Sequence, residues 1–410
     1  MKRALPLIVA MASFLACDDG TTRPDGAADP TRPPSKADDP TDVADRDTFI
    51  GVLPDFAPSH GVYVHRLLRE LSPKLLASLI DELGSERVIE LTTGYAGPSA
   101  GFSRATSLVW TRDFLPLSIG APDGITVVSY LSVDPTRSGY DGSIYVPMQA
   151  PSPAHRFFRV PGQDSEWRLT ETMPLLNEGG NVVATGRWII VTDKVLRDNA
   201  DAPKEGSVAT LRRSGWDERS TDETLAILSK ATRTPTDRII ILPPMPGEKT
   251  DHADLVVMAL GPNEVMVPEV RDDILEIITF GHEIELGWRV REYLDEVAAT
   301  LNERGLKVHR LPMLPPVYLG ENKGEPTGYH GVFFSPTNAT QVHIAGETPR
   351  VWLPTFDAEG FPESYLALKH AYEDTWVDFF EDRGFLALPV DATELGHAFG
   401  LFHCVTAPAF

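Results

Sequence analysis

The sequence predicts an α/β protein built from an internally repeated unit of strands and one helix. A helix pattern followed by a strand pattern occurs four times along the chain, and pairs of short apolar strands separate these units. The units recur roughly every 65 to 86 residues, in element order and not in residue identity. No glycine-rich loop opens a helix after a strand, so a doubly wound nucleotide-binding sheet is not predicted.

The first helix-and-strand unit has clear end signals. Ser72-Pro73 starts a run with leucines at helical spacing, and Gly84 stops it, which predicts a capped amphipathic helix. A short strand over 87–91 follows. The same order returns in predicted helices over 221–230, 288–304 and 362–381 and in predicted strands over 238–242, 306–311 and 385–390.

Short strand pairs lie between these units. The segments 181–184 and 187–191 flank a turn at Gly186, and the segments 341–344 and 350–353 flank a turn at Gly346. We therefore predict two hairpins here. Each adds two strands to a helix-and-strand unit.

The N-terminus has the layout of an export signal. Lys2 and Arg3 precede an apolar run over 4–16 that is too short to span a bilayer, and Cys17 follows. The segment ending at Cys17 resembles a bacterial lipobox, which predicts lipidation of Cys17 in a cell-envelope lipoprotein; ordinary signal cleavage nearby is the alternative. Residues 18–46 contain almost nothing apolar and are expected to be a disordered tether, which leaves 47–410 as one catalytic domain.

The charge and the cysteine count limit the partners. A formal net charge of −22 argues against nucleic acid or an anionic membrane surface and favours cationic ligands, with membrane contact only through the lipid. The oligomeric state stays open. If Cys17 is consumed by export, Cys404 is the one remaining thiol, and it is either a functional residue or a small buried hydrophobe.

The segment 393–404 partly fits a zinc-protease pattern. Glu394, His397, Gly400 and His403 match His-Glu-x-x-His-x-x-Gly-x-x-His, but Thr393 occupies the first ligand position. Threonine is a poor zinc ligand. A zinc protease therefore stays an alternative, and no metal or other cofactor is expected.

Each repeated unit contributes one polar cluster near its strands. The five clusters are Trp110-Thr111-Arg112-Asp113, Asn177-Glu178-Gly179-Gly180-Asn181, His252-Ala253-Asp254, Pro336-Thr337-Asn338 and His403-Cys404. In this order the chain resembles the guanidino-group-modifying superfamily, the penteins, which includes agmatine, arginine and peptidylarginine deiminases. The resemblance covers nearly all of 50–410. It implies an α/β-propeller of pseudo-fivefold ββαβ-type modules.

The resemblance also implies roles for five residues. Asp113 and Asp254 would bind the guanidinium, whose rigid fork of donors suits paired carboxylates. Cys404 would attack the weakly electrophilic guanidinium carbon as a thiolate. His252 would act as general acid and then general base, oriented and charged by Glu178.

Other residues have weaker assignments. Asn338 and Trp110 are possible substrate-binding residues, and His403 is either core or pocket wall. Phe399 replaces a glycine that is common before the cysteine in the family. Residues 114–116 replace a Thr-Gly-Pro common in agmatine deiminases, which counts against agmatine as substrate.

The sequence thus predicts an exported hydrolase that converts a guanidino group to a ureido group and ammonia through a thiouronium intermediate. Peptidyl-arginine is favoured as substrate. Agmatine, free arginine, a methylated arginine and an amidinotransferase reaction stay open. A non-catalytic guanidinium-binding pentein is the alternative of another class.

Overall fold

The structure is a computed structural model. It describes residues 51–91, 111–115, 117–121, 124–133, 145–147, 168–200, 216–248, 250–277, 281–314, 335–356, 362–397 and 401–410. The strands are β1 (Gly51–Val52), β2 (Gly61–His65), β3 (Val88–Leu91), β4 (Leu117–Ala121), β5 (Gly124–Val133), β6 (Tyr145–Pro147), β7 (Arg168–Leu176), β8 (Val183–Ala184), β9 (Ile189–Thr192), β10 (Ile239–Leu242), β11 (Met258–Gly261), β12 (Glu264–Glu269), β13 (Lys307–Pro312), β14 (Thr340–Val342), β15 (Arg350–Thr355), β16 (Leu386–Asp391) and β17 (Thr406–Ala409). The helices are α1 (Leu68–Leu71), α2 (Pro73–Leu83), α3 (Thr111–Phe114), α4 (Lys194–Ala200), α5 (Thr221–Thr232), α6 (Asp272–Leu275), α7 (Gly281–Glu303), α8 (Glu363–Glu381), α9 (Thr393–His397) and α10 (Phe402–Val405).

The described strands form five small sheets that share one pattern. In β11–β12–β13, an antiparallel pair is followed by α7, which returns the chain so that β13 lies parallel to β12. The same antiparallel-then-parallel order occurs in the three other three-stranded sheets. The remaining sheet repeats it with β4, β5 and β7, and adds β1 and β6. The predicted repeated α/β architecture is therefore present.

The sequence-predicted elements are found with small changes at their ends. Helix α2 ends at Gly84, whose φ of +86° is a conformation that glycine adopts without steric cost. Ser72 makes no side-chain cap hydrogen bond, so that part of the prediction was wrong; Pro73 instead supplies a fixed φ at the first helical position. Helix α7 begins at Gly281, before the predicted start at 288.

The two predicted hairpins are antiparallel pairs, β8 with β9 and β14 with β15. Asn181 was predicted to start a strand, but it ends the 3₁₀ turn Gly179–Asn181. Its side-chain oxygen accepts hydrogen bonds from the backbone N–H and the hydroxyl of Thr192, at 2.9 and 2.8 Å. These bonds hold the turn against the end of β9.

A short turn precedes the first strand of every sheet pattern. These turns are α3, the 3₁₀ turns Gly179–Asn181, Ala253–Leu255 and Pro336–Asn338, and α10. Each turn packs against the next in this order, and α10 packs against α3. The described residues of the five polar clusters therefore lie near one another, because every module presents the same end of its hairpin.

Apolar side chains from several modules share one large core. Val64 on β2, Ile190 on β9, Val267 on β12 and Trp352 on β15 are fully buried members of it. Phe402, next to the predicted site residues, is also fully buried in this core. Packing of this density fixes the turn on which Cys404 lies. No helix among the described residues is long and apolar enough to cross a membrane.

Candidate active site

Glu178 and His252 form the first pair of the site. His252 Nε2 lies 2.6 Å from Glu178 Oε2, although the two residues are 74 positions apart in the sequence. Each lies immediately before a 3₁₀ turn, and these two turns pack together. His252 is buried. Its imidazole therefore contacts the Glu178 carboxylate where little solvent competes for the hydrogen bond.

Lys194 extends this pair. Its Nζ lies 3.8 Å from the same Glu178 oxygen and also forms an ion pair with Asp198, one helical turn further along α4. Burial acts to raise the pKa of Glu178, but Lys194 and the His252 hydrogen bond outweigh it and hold that pKa below its ordinary range. Glu178 is therefore ionised at neutral pH. Burial raises the pKa of Asp198 despite its contact with Lys194.

Cys404 lies on α10 as a buried thiol. Its Sγ is 3.8 Å from Asp254 Oδ2 and 3.4 Å from Asn338 Nδ2, where the amide can donate a hydrogen bond to sulfur. Asp254 is 1% exposed, and its second oxygen, Oδ1, has no hydrogen-bond partner among the residues that the structure describes. A buried carboxylate oxygen without a donor costs free energy unless a ligand supplies one.

His403 joins two carboxylates. Its Nδ1 lies 2.7 Å from Asp254 Oδ2, and its Nε2 lies 2.6 Å from Asp55 Oδ2. Arg112 holds the other end of Asp55, with Nη1 3.0 Å from Oδ1, and its Nε donates to the carbonyl of His403 at 3.0 Å. The four side chains form one continuous chain of charge-assisted hydrogen bonds next to Cys404.

The charges of these four hydrogen-bonded side chains stabilise one another. Burial and Arg112 act to lower the pKa of His403, but the Asp55 and Asp254 carboxylates outweigh them and raise it above its ordinary value. Burial acts to raise the pKa of Asp55, and Arg112 and His403 lower it well below its usual range. His403 therefore lies between two carboxylates that favour its protonated form.

The structure places Glu178 against His252, and Asp254 and Asn338 against Cys404, and the sequence had singled out all five. His403, which the sequence left as core or pocket wall, contacts Asp254 directly.

The sequence patterns did not indicate Asp55 or Lys194 as site residues. They also did not indicate that Arg112 binds Asp55 and the carbonyl of His403. Asp55 follows Leu53-Pro54 in a loop with no recognisable motif, and its only signal is a carboxylate within the mostly apolar stretch 51–57. Arg112 lies within a quoted cluster, but the family resemblance drew attention to its neighbour.

Some predicted residues lie outside the described part of the structure. These are Cys17, Trp110 and Phe399, together with the predicted signal and tether over 1–46. Asp113 belongs to helix α3, but its side chain is not described, and the same holds for His397 at the end of α9.

The zinc-protease alternative finds little support among the described residues. The Thr393 hydroxyl donates to Asp391 at 2.6 Å, and both ring nitrogens of His403 already contact carboxylates. No group of three or more His, Cys, Asp or Glu in the described part of the chain could hold a metal ion.

A cleft with about 670 Å³ of empty space, part of it open to solvent, borders this network. Asp55, Arg112 and Gly179 line it together with apolar side chains such as Leu117 and Phe410. Its described lining does not include Cys404 or His252. We therefore do not assign this cleft as the place where a reacting group meets the thiol.

Comparison with known proteins relates this fold to deiminases. An agmatine deiminase of Enterococcus faecalis superposes with a TM-score of 0.57 at 14% identity, covering 89% of this chain and 98% of that one. An agmatine deiminase from C. jejuni gives a TM-score of 0.54 at 12% identity, covering 88% and 96%. A candidate arginine deiminase from Porphyromonas gingivalis gives 0.56 at 16% identity, covering 87% and 97%.

A scan against protein-family models finds no match, and a search of curated protein sequences finds none either. The chain has the α/β fold of these agmatine and arginine deiminase structures. The resemblance inferred from the five polar clusters is thus confirmed in the fold.

Proposed function

We propose that the chain is a guanidino-group hydrolase that uses Cys404 as its nucleophile. The observation that carries this proposal is the Asp254 carboxylate, which lies 3.8 Å from Cys404 Sγ and has one buried oxygen that accepts from no donor in the described part of the chain. A guanidinium N–H would satisfy that oxygen and balance its charge. It would also bring the guanidinium carbon close to the sulfur. Asp113 is proposed as the second carboxylate, on the family resemblance alone.

The first half-reaction forms a bond between Cys404 Sγ and the guanidinium carbon. The electron pair displaced from the carbon moves to a terminal nitrogen, and His252 donates a proton to it, so that ammonia leaves. The amidino group stays on sulfur as a thiouronium cation. The Glu178 carboxylate, 2.6 Å from His252 Nε2, stabilises the imidazolium that this step consumes.

The second half-reaction uses water. His252 accepts a proton from the water as it attacks the thiouronium carbon, and the carbon–sulfur bond then breaks and restores the thiolate. The protonated ureido group that leaves releases its second proton to solvent. The product is a ureido group, as in citrulline. An amine in place of water would give amidino transfer by the same residues.

The proposed architecture is the pentein propeller. The five sheets with one repeated strand order, and the contact of each module's first turn with the next, support a pseudo-fivefold arrangement around the site. In such an arrangement each module delivers its polar residues to a shared centre, which would place Glu178, His252, Asn338 and Cys404 around one substrate.

Peptidyl-arginine is the proposed substrate, because the predicted export would expose the enzyme to proteins more than to cytosolic amines. One of the similar solved structures is a Cys-to-Ser variant of the C. jejuni agmatine deiminase with substrate bound, so small guanidino compounds belong in the same assay. Export and lipidation are proposed on the sequence around Cys17. In cell fractionation, wild type should be found in the envelope fraction and Cys17→Ser in the soluble fraction.

The decisive assay offers agmatine, free arginine, a methylated arginine and an arginine peptide to wild type and to Cys404→Ala. We expect ureido product and ammonia in equal amounts from wild type, none from the variant, and no effect of a chelator. Activity that survives in Cys404→Ala but is lost with chelator would indicate a zinc enzyme. Binding without product would indicate a non-catalytic pentein, and product with an added amine acceptor only would indicate amidino transfer.

A further inference from the structure

The Cys404 thiol has a carboxylate beside it, which opposes the reaction proposed above. The thiolate, and not the thiol, is the nucleophile. A negative charge on Asp254, 3.8 Å from Sγ, disfavours a second negative charge on sulfur. The site therefore needs a compensating positive charge, and a substrate cation would supply one only after it binds.

His403 occupies the position where such a charge is needed. Its Nδ1 lies 2.7 Å from Oδ2 of Asp254, the same oxygen that faces the sulfur. Its Nε2 lies 2.6 Å from Asp55, so both ring nitrogens face acceptors. Both can donate only when the ring carries two protons. With both carboxylates ionised, this geometry favours the imidazolium form.

The charges that surround His403 cancel. With both carboxylates ionised and His403 protonated, these four side chains carry no net charge. Helix α10 packs against α3, the turn 336–338, β15 and β17. Arg112 is the described charged side chain of α3, and the turn contributes the neutral Asn338.

The next titratable groups do not alter this balance. Arg350 on β15 forms ion pairs with Glu82 and Glu347. Burial lowers the pKa of His343, which lies near Asp55, to about 4, so His343 is neutral at pH 7. His403 is therefore the group whose loss would leave Asp254 uncompensated.

We propose that His403, held between Asp55 and Asp254, is a built-in counter-charge that offsets the Asp254 carboxylate and so makes the Cys404 thiol easier to ionise before substrate binds. His403 and Asp55 are positioning residues in this account, since they act through Asp254. The inference rests on the proposed function in that it concerns the same thiol. It assigns Asp55 and His403 to the site, which sequence patterns did not.

The test measures ionisation of Cys404 without turnover. The full chain carries Cys17→Ser in every sample, so that Cys404 is its one thiol, and the rate of alkylation by iodoacetamide is measured against pH. Each profile is scaled to its own plateau, which removes the effect of burial. We expect the midpoint in His403→Gln to lie about one pH unit above that of the Cys17→Ser parent, since the neutral amide keeps hydrogen bonding and loses the charge.

The matched control is His309→Gln. His309 also pairs with a carboxylate, with Nε2 3.0 Å from Glu264 Oε2, but it lies on β13. Its removal should leave the Cys404 midpoint unchanged. Equal alkylation midpoints in the parent and in His403→Gln would overturn the proposal. A midpoint that shifts as far in His309→Gln as in His403→Gln would also overturn it.

A second measurement uses the unsubstituted His403 and does not depend on the folding of His403→Gln. Nitrogen-15 NMR of histidine-labelled protein should show two protonated ring nitrogens for His403 at pH 7, assigned by the loss or movement of its signals in Asp55→Asn. A neutral ring at pH 7 would overturn the proposal. If the alkylation midpoint rises in His403→Gln as expected but wild type forms no ureido product, the proposed hydrolase is rejected and this inference stands. If wild type forms product but the midpoint does not rise, the inference is rejected and the proposed hydrolase stands.

Discussion

His252 Nε2 lies 2.6 Å from Glu178 Oε2, in a contact that joins two residues 74 positions apart. The two residues come from different modules, and each directly precedes a short 3₁₀ turn. The hydrogen bond sets the orientation of the imidazole and supports its charged form. The acid–base function that we propose for His252 should therefore depend on Glu178.

Glu178→Gln tests this dependence. We expect kcat to fall about 10²-fold, because the amide cannot stabilise an imidazolium as a carboxylate does. Substrate affinity should change little. The affinity is measured by calorimetry in a Cys404→Ala background, where turnover cannot obscure binding; a drop in affinity with unchanged kcat would contradict the assigned role.

Lys194→Met should change the pH dependence of turnover. Removal of the ammonium 3.8 Å from Glu178 Oε2 raises the pKa of Glu178, which Lys194 helps to hold low. Activity requires ionised Glu178, so the acid limb of the kcat profile should move to higher pH. In Lys194→Arg, which keeps the positive charge, the acid limb should stay at its wild-type pH.

Arg197→Met is the control for that change. Arg197 lies one turn further along α4 and pairs with Asp193 and Asp251 instead of Glu178. Its loss should leave the acid limb in place, and a shift of similar size would show that any cation on this helix suffices.

Asp254→Asn should weaken guanidinium binding. The variant removes the charge and the acceptor that we assign to the substrate, at a buried position where an unpaired partner is costly. We expect agmatine or an arginine peptide to bind at least about 10²-fold more weakly to Asp254→Asn/Cys404→Ala than to Cys404→Ala, by calorimetry. Unchanged affinity would remove Asp254 from the binding site.

The stability of the protein should depend on pH through His403. Its pKa is raised above the ordinary 6.5, so its stabilising contribution is complete below that pH and is lost as pH rises through the higher folded-state value. We expect wild type to exceed His403→Gln by about 3 kcal/mol in free energy of unfolding near pH 6, because the variant leaves a buried carboxylate without its partner. The difference should narrow at high pH in denaturant titrations.

The contribution of Asp55 to stability has the opposite pH dependence. Its pKa is lowered, so the contribution is present above the ordinary 3.8 and is lost as pH falls towards the folded-state value. The advantage of wild type over His403→Gln should therefore be largest between about pH 4 and pH 6.5. A difference that stays constant from pH 4 to pH 9 would show that the pKa of His403 is the same in the folded and the unfolded protein.

Local patterns in the sequence predicted much of the fold. The helix of 73–83, its glycine stop, the hairpin turns at Gly186 and Gly346, and the helix-then-strand order follow from hydrophobic periodicity and turn chemistry, which act over a few residues. Cap bonding at Ser72 and the true start of α7 at Gly281 did not follow. Both depend on how the segment ends pack, and periodicity carries no information about that.

The sequence by itself determined that polar clusters recur once per module, and their order led to the deiminase fold. It drew attention to Cys404, His252, Glu178, Asp254 and Asn338 because residue type and spacing carry that information. Only the tertiary structure placed Asp55 against His403, 348 positions away in the chain. Contacts over such separations depend on how modules pack, and the charge balance next to Cys404 exists only once that packing excludes water.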